Sequence, residues 1–283
     1  MNTGWLLLIV PGLIWGASFL FIAEGLQSVG PGGVTFLRIL IGFATLALFP
    51  TARNPVERKD WGKIAWLGLL WFAFPLSMFP FAEQRVSSAL TGMLNGANPL
   101  FATLVASFIS RRWPSRGVAA SLVIGIVGAV LMALPALHEG RSSTEGILMI
   151  LAALVSYGIA LSLARSLQQQ YGSVPVIWRA QAVGLVLTAP LGIADIRAAH
   201  WALLPVLSLL ALGIFGTGIA YVLMASAAGR FGAATASGTA FLIPAVALIL
   251  GVVLRDEHVV LLSVIGGIVC VTGAWLMKRA ATH

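Results

Sequence analysis

Ten apolar stretches divide this chain almost end to end: 4–23, 33–50, 64–82, 86–109, 117–137, 146–164, 175–194, 203–226, 232–254 and 259–277. A membrane-crossing helix needs roughly 17–25 such residues. The connections are short, so no soluble domain fits between them. Charged residues are 9% of the chain, where a soluble domain carries about 25%. Soluble enzymes, nucleic-acid binders and secreted disulfide modules are thereby excluded, and the apolar content excludes disorder. The lone cysteine, Cys270, has no partner for an intramolecular disulfide or a cysteine-based zinc cluster. The expected fold is an all-α polytopic membrane protein with ten transmembrane helices. Its expected partners are the lipid bilayer and a small-molecule substrate, with no nucleic acid, no cofactor and no metal, as a monomer or homodimer. The first stretch has no basic residue before it and no small-residue cleavage site leading into a soluble region, so it reads as a retained helix and not a signal peptide.

The net charge of +8 reports orientation before it reports nucleic acid. With the N-terminus in the cytoplasm, the cytoplasmic segments hold Arg53, Arg58, Lys59, Lys63, Arg111, Arg112, Arg116, Arg165, Arg230, Lys278 and Arg279. The outer segments hold only Arg85, Arg141, Arg197 and Arg255. That excess places both termini inside, at the cell inner membrane.

The chain also resembles itself. Arg85, Pro99 and the run Gly128-Ala129-Val130-Leu131-Met132 recur 145 residues later as Arg230, Pro244 and Gly273-Ala274-Trp275-Leu276-Met277. Trp15-Gly16 matches Tyr157-Gly158 at an offset of 142, and Arg38 matches Arg179 at 141. The shared order predicts two five-helix repeats, 1–140 and 141–283. Five is odd, so the second copy runs upside down. Inverted repeats are a common build for secondary transporters, with the substrate near the midplane between them.

Certain residues carry a family resemblance. Trp15-Gly16-Ala17-Ser18-Phe19, then Pro31 and Phe36-Leu37-Arg38, are similar to the start of an EamA-type protein of the drug/metabolite transporter superfamily. Ala97-Asn98-Pro99-Leu100, Gly125 with Gly128-Ala129, Leu242-Ile243-Pro244 and the run from Gly266 to Met277 fit the same pattern. The resemblance covers the whole chain. It implies ten helices in two inverted halves and export of amino acids or other small metabolites, with an exporter branch for aromatic and other neutral amino acids the nearest match.

Two arginines fall well inside the stretches, Arg38 and Arg179. An arginine in a span costs about 2.5–3.5 kcal/mol on insertion scales unless paired or wetted. Both can snorkel or tie down loop carbonyls; the alternative is a gating element or anion contact on each side. Pro99 and Pro244 lie about halfway along the fourth and ninth stretches, and a pair of breaks at corresponding positions points to a binding site. Beside the first break, Thr91, Asn95 and Asn98 share one helical face, as do Thr235 and Thr239 near the second. These polar groups line a cavity or bridge helices.

Aromatic and sulfur side chains align too. Trp71, Phe74 and Met78 share a face of the third stretch, and Trp15, Ser18 and Phe19 share one on the first. They line the pathway or serve as core. Tyr157 and Tyr221 lie mid-membrane and must keep their hydroxyls from lipid. Trp61, Trp66, Trp113 and Trp201 read as interfacial anchors. Gly12/Gly16 and Gly92/Gly96 let helices approach closely. The acids Glu24, Glu57, Asp60, Glu83, Glu139, Glu145, Asp195, Asp256 and Glu257 all map to loops or helix ends. Transport is therefore expected to need no intramembrane carboxylate, and neutralising Glu24 to leave substantial activity.

These features predict a secondary transporter that exports small neutral or zwitterionic metabolites, most simply apolar or aromatic amino acids, by alternating access. The alternatives are a nucleotide-sugar, nucleobase or drug transporter of the same superfamily. An intramembrane enzyme or scaffold is disfavoured, because no nucleophile, base or metal group is paired inside the spans.

Overall fold

The computed structural model describes residues 6–138, 140–231 and 237–280, and every regular element among the described residues is helical. In order these are α1 Leu6–Gly25, α2 Pro31–Ala47, α3 Arg58–Glu83, α4 in two limbs (Ser88–Asn95 and Asn98–Ser110), α5 Arg116–His138, α6 Arg141–Tyr171, α7 Ser173–Arg197, α8 Leu203–Phe231, α9 Ile243–Arg255 and α10 Leu261–Ala280. Short 3-10 turns occupy Pro50–Arg53 and Ser237–Phe241. Eight helices are long and apolar enough to cross a membrane, α9 being counted with part of the turn before it, and the two limbs of α4 pass the same test together. α2 is apolar but spans only 17 residues. The chain is a multi-pass helical membrane protein.

Local chemistry sets the helix ends. Pro31 stands in the first turn of α2, where its missing N–H is not needed. Ser87 caps α4, its hydroxyl accepting from the Leu90 amide at 3.2 Å. Gly172, at φ 83°, alone turns the chain from α6 into α7, a conformation glycine adopts without steric cost. The second limb of α4 and α9 are built alike. Each has 13 residues with proline in its first turn, and each ends in a residue at φ 52°, Arg111 and Asp256. Pro99 and Pro244 thus stand in the first turn of a helical segment, in keeping with the breaks expected at these positions. The first limb of α4 stops at Asn95 and the second starts at Asn98, the two meeting at 43°, while α9 follows directly on a 3-10 turn.

Two further irregularities match. α3 widens into a π-helix at Gly68–Ala73 and α8 does so at Leu212–Ile219. Carbonyls in both segments accept side chains from neighbours: Ser156 Oγ donates to Leu70 O at 2.7 Å, and Trp15 Nε1 to Gly216 O at 3.0 Å. Such insertions cluster at functional sites.

Small residues bring helices together. A Cβ at Gly128 would fall on the backbone of Cys270, and one at Gly273 on the backbone of Gly125, so α5 and α10 touch main chain to main chain. Ser263 Oγ adds a bond to Met132 O across this interface at 2.8 Å. Elsewhere the core forms two clusters. One joins α1 to α6 and α8 to α10; the other joins α2, α3, α6 and α7; Tyr157 packs against both. Trp61, Trp66, Trp113 and Trp201 are exposed, as interfacial anchors require.

Candidate functional site

A cavity of about 640 Å³ runs through the bundle between the two clusters, within the roughly 300–1,000 Å³ usual for small-molecule sites. Its walls are aromatic. Tyr221 meets Trp15 edge-on at 5.6 Å and Trp71 at 5.9 Å, while Tyr157 stacks on Phe79 at 6.0 Å. Ser18, Asn95, Asn98 and Pro99 supply further lining. The Ser18 hydroxyl is turned back to Ile14 O at 2.9 Å.

One cation lies deep in this cavity. Arg38 of α2 is only 5% exposed and lines the wall. Its Nε donates to Thr217 Oγ1 at 3.3 Å, and Thr217 Oγ1 itself donates to Leu212 O at 3.2 Å within the π segment of α8. The guanidinium is thus oriented through Nε, in a wall otherwise aromatic and apolar. Asn95 and Asn98, at the break in α4, belong to the same lining, and the side-chain oxygen of each is sealed from water with no hydrogen-bond partner. Buried polar atoms of this kind are rare in native proteins and demand an occupant or a partner. No carboxylate belongs to the lining among the described residues.

The cavity is lopsided. At one end its lining reaches Gln168, Ser173, Ala228 and Lys278, at the ends of α6, α7, α8 and α10. At the other it stops at Ile22 and Phe79, where Phe19 and Phe79 meet edge-on at 5.6 Å. Beyond this plug lies an ionic layer. Arg255 pairs with Glu24, and its Nε lies 3.4 Å from Glu257 Oε1.

Trp15, Ser18, Trp71, Asn95, Asn98, Pro99, Tyr157, Tyr221 and Arg38, all expected from the sequence, come together on this one cavity. Others do not line it. The π segment of α3 adds a residue to one turn, rotating later positions by about 100°. Phe74 is therefore 37% exposed, and Met78 packs against the core instead. Thr91 precedes the break and returns its hydroxyl to Ser87 O at 2.9 Å, so it loses the face it would share with Asn98 on an unbroken helix. Thr239 donates to Leu8 O at 2.8 Å, and Pro244 packs on Gly96. Thr235 lies outside the described residues. Arg179 donates to Ala52 O at 3.0 Å and to Pro175 O at 3.1 Å, tying down the connection after α2.

Three residues escaped the sequence reading: Phe79, Thr217 and Glu83. Phe79 lies one place beyond Met78, the residue that an unbroken α-helical register favours. Thr217 carries no motif. Glu83 ends α3, yet both its carboxylate oxygens are buried and unpartnered, which corrects the expectation that every acid lies at the periphery.

A multi-pass helical bundle around a lined cavity, closed at one end, is the build of a membrane transporter. The chain belongs to the EamA-like transporter family, whose profile matches residues 2–134 and again 144–279. It is 30% identical over 266 residues to the uncharacterized transporter YdfC of Bacillus subtilis, covering 92% of this chain and 86% of that one. It is 26% identical over 278 residues to a probable terminal-alkyne amino-acid exporter of Streptantibioticus cattleyicolor, covering 96% and 92%. A solved crystal structure shares the fold at a TM-score of 0.65 and 19% identity, covering 98% of this chain and 96% of the other. The family and these relatives are transporters, not enzymes.

Proposed function

We propose that this protein exports small zwitterionic metabolites, in particular amino acids with apolar or aromatic side chains, by alternating access. The observation that carries the substrate reading is the pairing of Arg38 with the orphaned Asn95 and Asn98 carbonyl oxygens on one aromatic-walled cavity. Arg38 can donate to a carboxylate and the amide oxygens can accept from an ammonium. The rings of Trp15, Trp71 and Tyr221 take an apolar side chain. Lining cations without a carboxylate disfavour an organic cation, and Arg38 with Lys278 is too little positive charge for a nucleotide sugar. The relative named a probable amino-acid exporter supports the same class.

Alternating access here rests on ten crossings in two inverted halves, 1–140 and 141–283, with both termini in the cytoplasm of an inner-membrane protein. Swapped contacts support that arrangement. Gly42 of α2 abuts Thr217 of α8, and Gly184 of α7, 142 residues on from Gly42, abuts Phe72 of α3, 145 before Thr217. Gly213 of α8 meets Ile41, and Gly68 of α3 meets Val183, at the same offsets. The contacts between α2 and α8 are those between α7 and α3 with partners exchanged, as a pseudo-twofold axis requires. In this frame the plugged end is the outer one, and the cavity opens to the cytoplasm.

Uptake of labelled amino acids into proteoliposomes, with a nucleotide sugar and a lipophilic cation as competitors, tests the substrate. Apolar amino acids should compete and the other two should not. Competition by the cation alone overturns the reading. A reporter active only in the cytoplasm, fused after His283, should be active; silence there overturns the topology.

A further inference from the structure

We propose that Glu83 is a proton-binding site that latches the outer end of the cavity: it holds a proton while that end is shut and loses it to the outer solution as the end opens. This rests on the alternating-access reading above.

The site is a compact arrangement of charge beyond the Phe19–Phe79 plug. Arg255, the last residue of α9, bonds Glu24 of α1 through Nη1 and faces Glu257 through Nε. Glu257 holds the start of α4, accepting from Ser88 N at 3.1 Å, Ser88 Oγ at 2.8 Å and Ala89 N at 2.8 Å. Three helices are thereby stapled at one end. Glu83 is left over. Both its oxygens are sealed from water without a hydrogen bond. The charges acting on it are Glu257 and Arg255 after and on α9, and Arg38 of α2. Arg38 is oriented by Thr217, and Glu145 of α6 faces Arg85 at 3.5 Å.

Around Arg255 there are thus three carboxylates for one guanidinium. A buried, unpartnered carboxylate is costly, and one proton removes the larger, ionic part of that cost. Opening the plug parts α1 from α3, and in this proposal α1 also draws away from the end of α9, which takes Glu24 from Arg255. Water then reaches Glu83, its proton leaves, and the ionised carboxylate pairs with the freed guanidinium. On closing, the proton returns from the same solution. No proton crosses the membrane in this cycle, so outer pH sets the gate without driving transport.

At the other end Asp60 pairs with Lys63 at 2.6 Å and accepts from Tyr171 at 2.8 Å, a different set of contacts. At offsets of 142 and 145, Glu24 corresponds to Ser166, Arg255 to Ser110 and Glu83 to Ala228. The three charges of this latch therefore have no charged counterparts at the repeat-related positions.

The test places a cysteine at Ile22 in a Cys270→Ser background and measures labelling by a membrane-impermeant maleimide from the outer side, normalised to a cysteine at exposed Trp201. Raising outer pH from about 5 to about 8, a span that covers displaced carboxyls in folded proteins, should raise Ile22→Cys labelling severalfold. Glu83→Gln should stay protected at both values, and Arg255→Gln should be labelled at both. Glu83→Asp should keep a pH response, which guards against a mere folding defect. An unchanged response in Glu83→Gln, or none in the reference protein, overturns the proposal. So does a proton flux matched to substrate flux, read by a pH dye inside proteoliposomes. Labelling needs no substrate, so a wrong substrate class and a wrong latch give separate failures.

Discussion

Arg38 Nε donates to the hydroxyl of Thr217 at 3.3 Å, joining a guanidinium on α2 to the π segment of α8. The two residues are 179 positions apart and come from different halves of the chain. A relative shift of α2 and α8 must therefore re-aim the charge that faces the cavity, which links substrate contact to helix movement.

Removing that charge should abolish transport of zwitterions. Arg38→Gln is expected to lose discrimination between an amino acid and its decarboxylated amine. Thr217→Val keeps the charge but frees its orientation. A hydrogen bond to a charged group is worth about 1.5–3 kcal/mol, so KM should rise about tenfold or more, with kcat less affected. Proteoliposome kinetics on both variants measures this. Equal KM in Thr217→Val and the parent removes Thr217 from the site.

Asn98→Leu separates ligand binding from folding. The amide oxygen has no protein partner, so replacing the side chain breaks no bond to that atom and leaves thermal stability in detergent within about 0.5 kcal/mol. Affinity for an amino acid should nevertheless fall about tenfold, the worth of one hydrogen bond to an ammonium. A stable variant with unchanged affinity would detach the α4 break from the substrate.

Packing predicts a contrast between two glycines. Gly128→Leu has no room, because the first carbon already meets the Cys270 backbone. It should cost about 1–3 kcal/mol or more and lower the yield of folded protein. Gly229→Ala meets nothing within 4 Å and should be tolerated. Thermal melts in detergent compare them.

The apolar spans that the structure shows, and the break in α4 at Pro99, were legible because apolar length and proline act locally. Register was not. Nothing in the run Gly68-Leu69-Leu70-Trp71-Phe72-Ala73 distinguishes a π turn from an α turn, yet that turn decides that Trp71 faces the cavity while Phe74 does not. A one-residue ambiguity likewise paired Arg38 with Arg179. The Arg38 carbonyl lies at Gly213, and the matching carbonyl at Gly68 is that of Ala180. Arg179 is therefore turned by about 100° from the corresponding direction, towards Ala52. Glu83 looked peripheral because it ends a helix. Its depth comes from segments remote in sequence, including the one carrying Glu257, that fold over it.

The pseudo-twofold also predicts how the open end should close. At present Phe19 of α1 and Phe79 of α3 meet edge-on at 5.6 Å at the closed end of the cavity, the end proposed to face outward. Offsets of 142 and 145 carry these two onto Leu161 of α6 and Met224 of α8, both of which line the open end. If the halves exchange conformations, Leu161 and Met224 should come together when Phe19 and Phe79 part. In a Cys270→Ser background, the pair Phe19→Cys and Phe79→Cys should be bridged by a short bifunctional maleimide in the state described here. The pair Leu161→Cys and Met224→Cys should be bridged only when the outer end is open. A short crosslinker bridges only the pair whose helices are together, so the two pairs report opposite states. Arg255→Gln, which loosens the outer latch, should raise crosslinking of the second pair and lower that of the first. Gel mobility after crosslinking reads both. Parallel changes in the two pairs would rule out exchange between inverted halves.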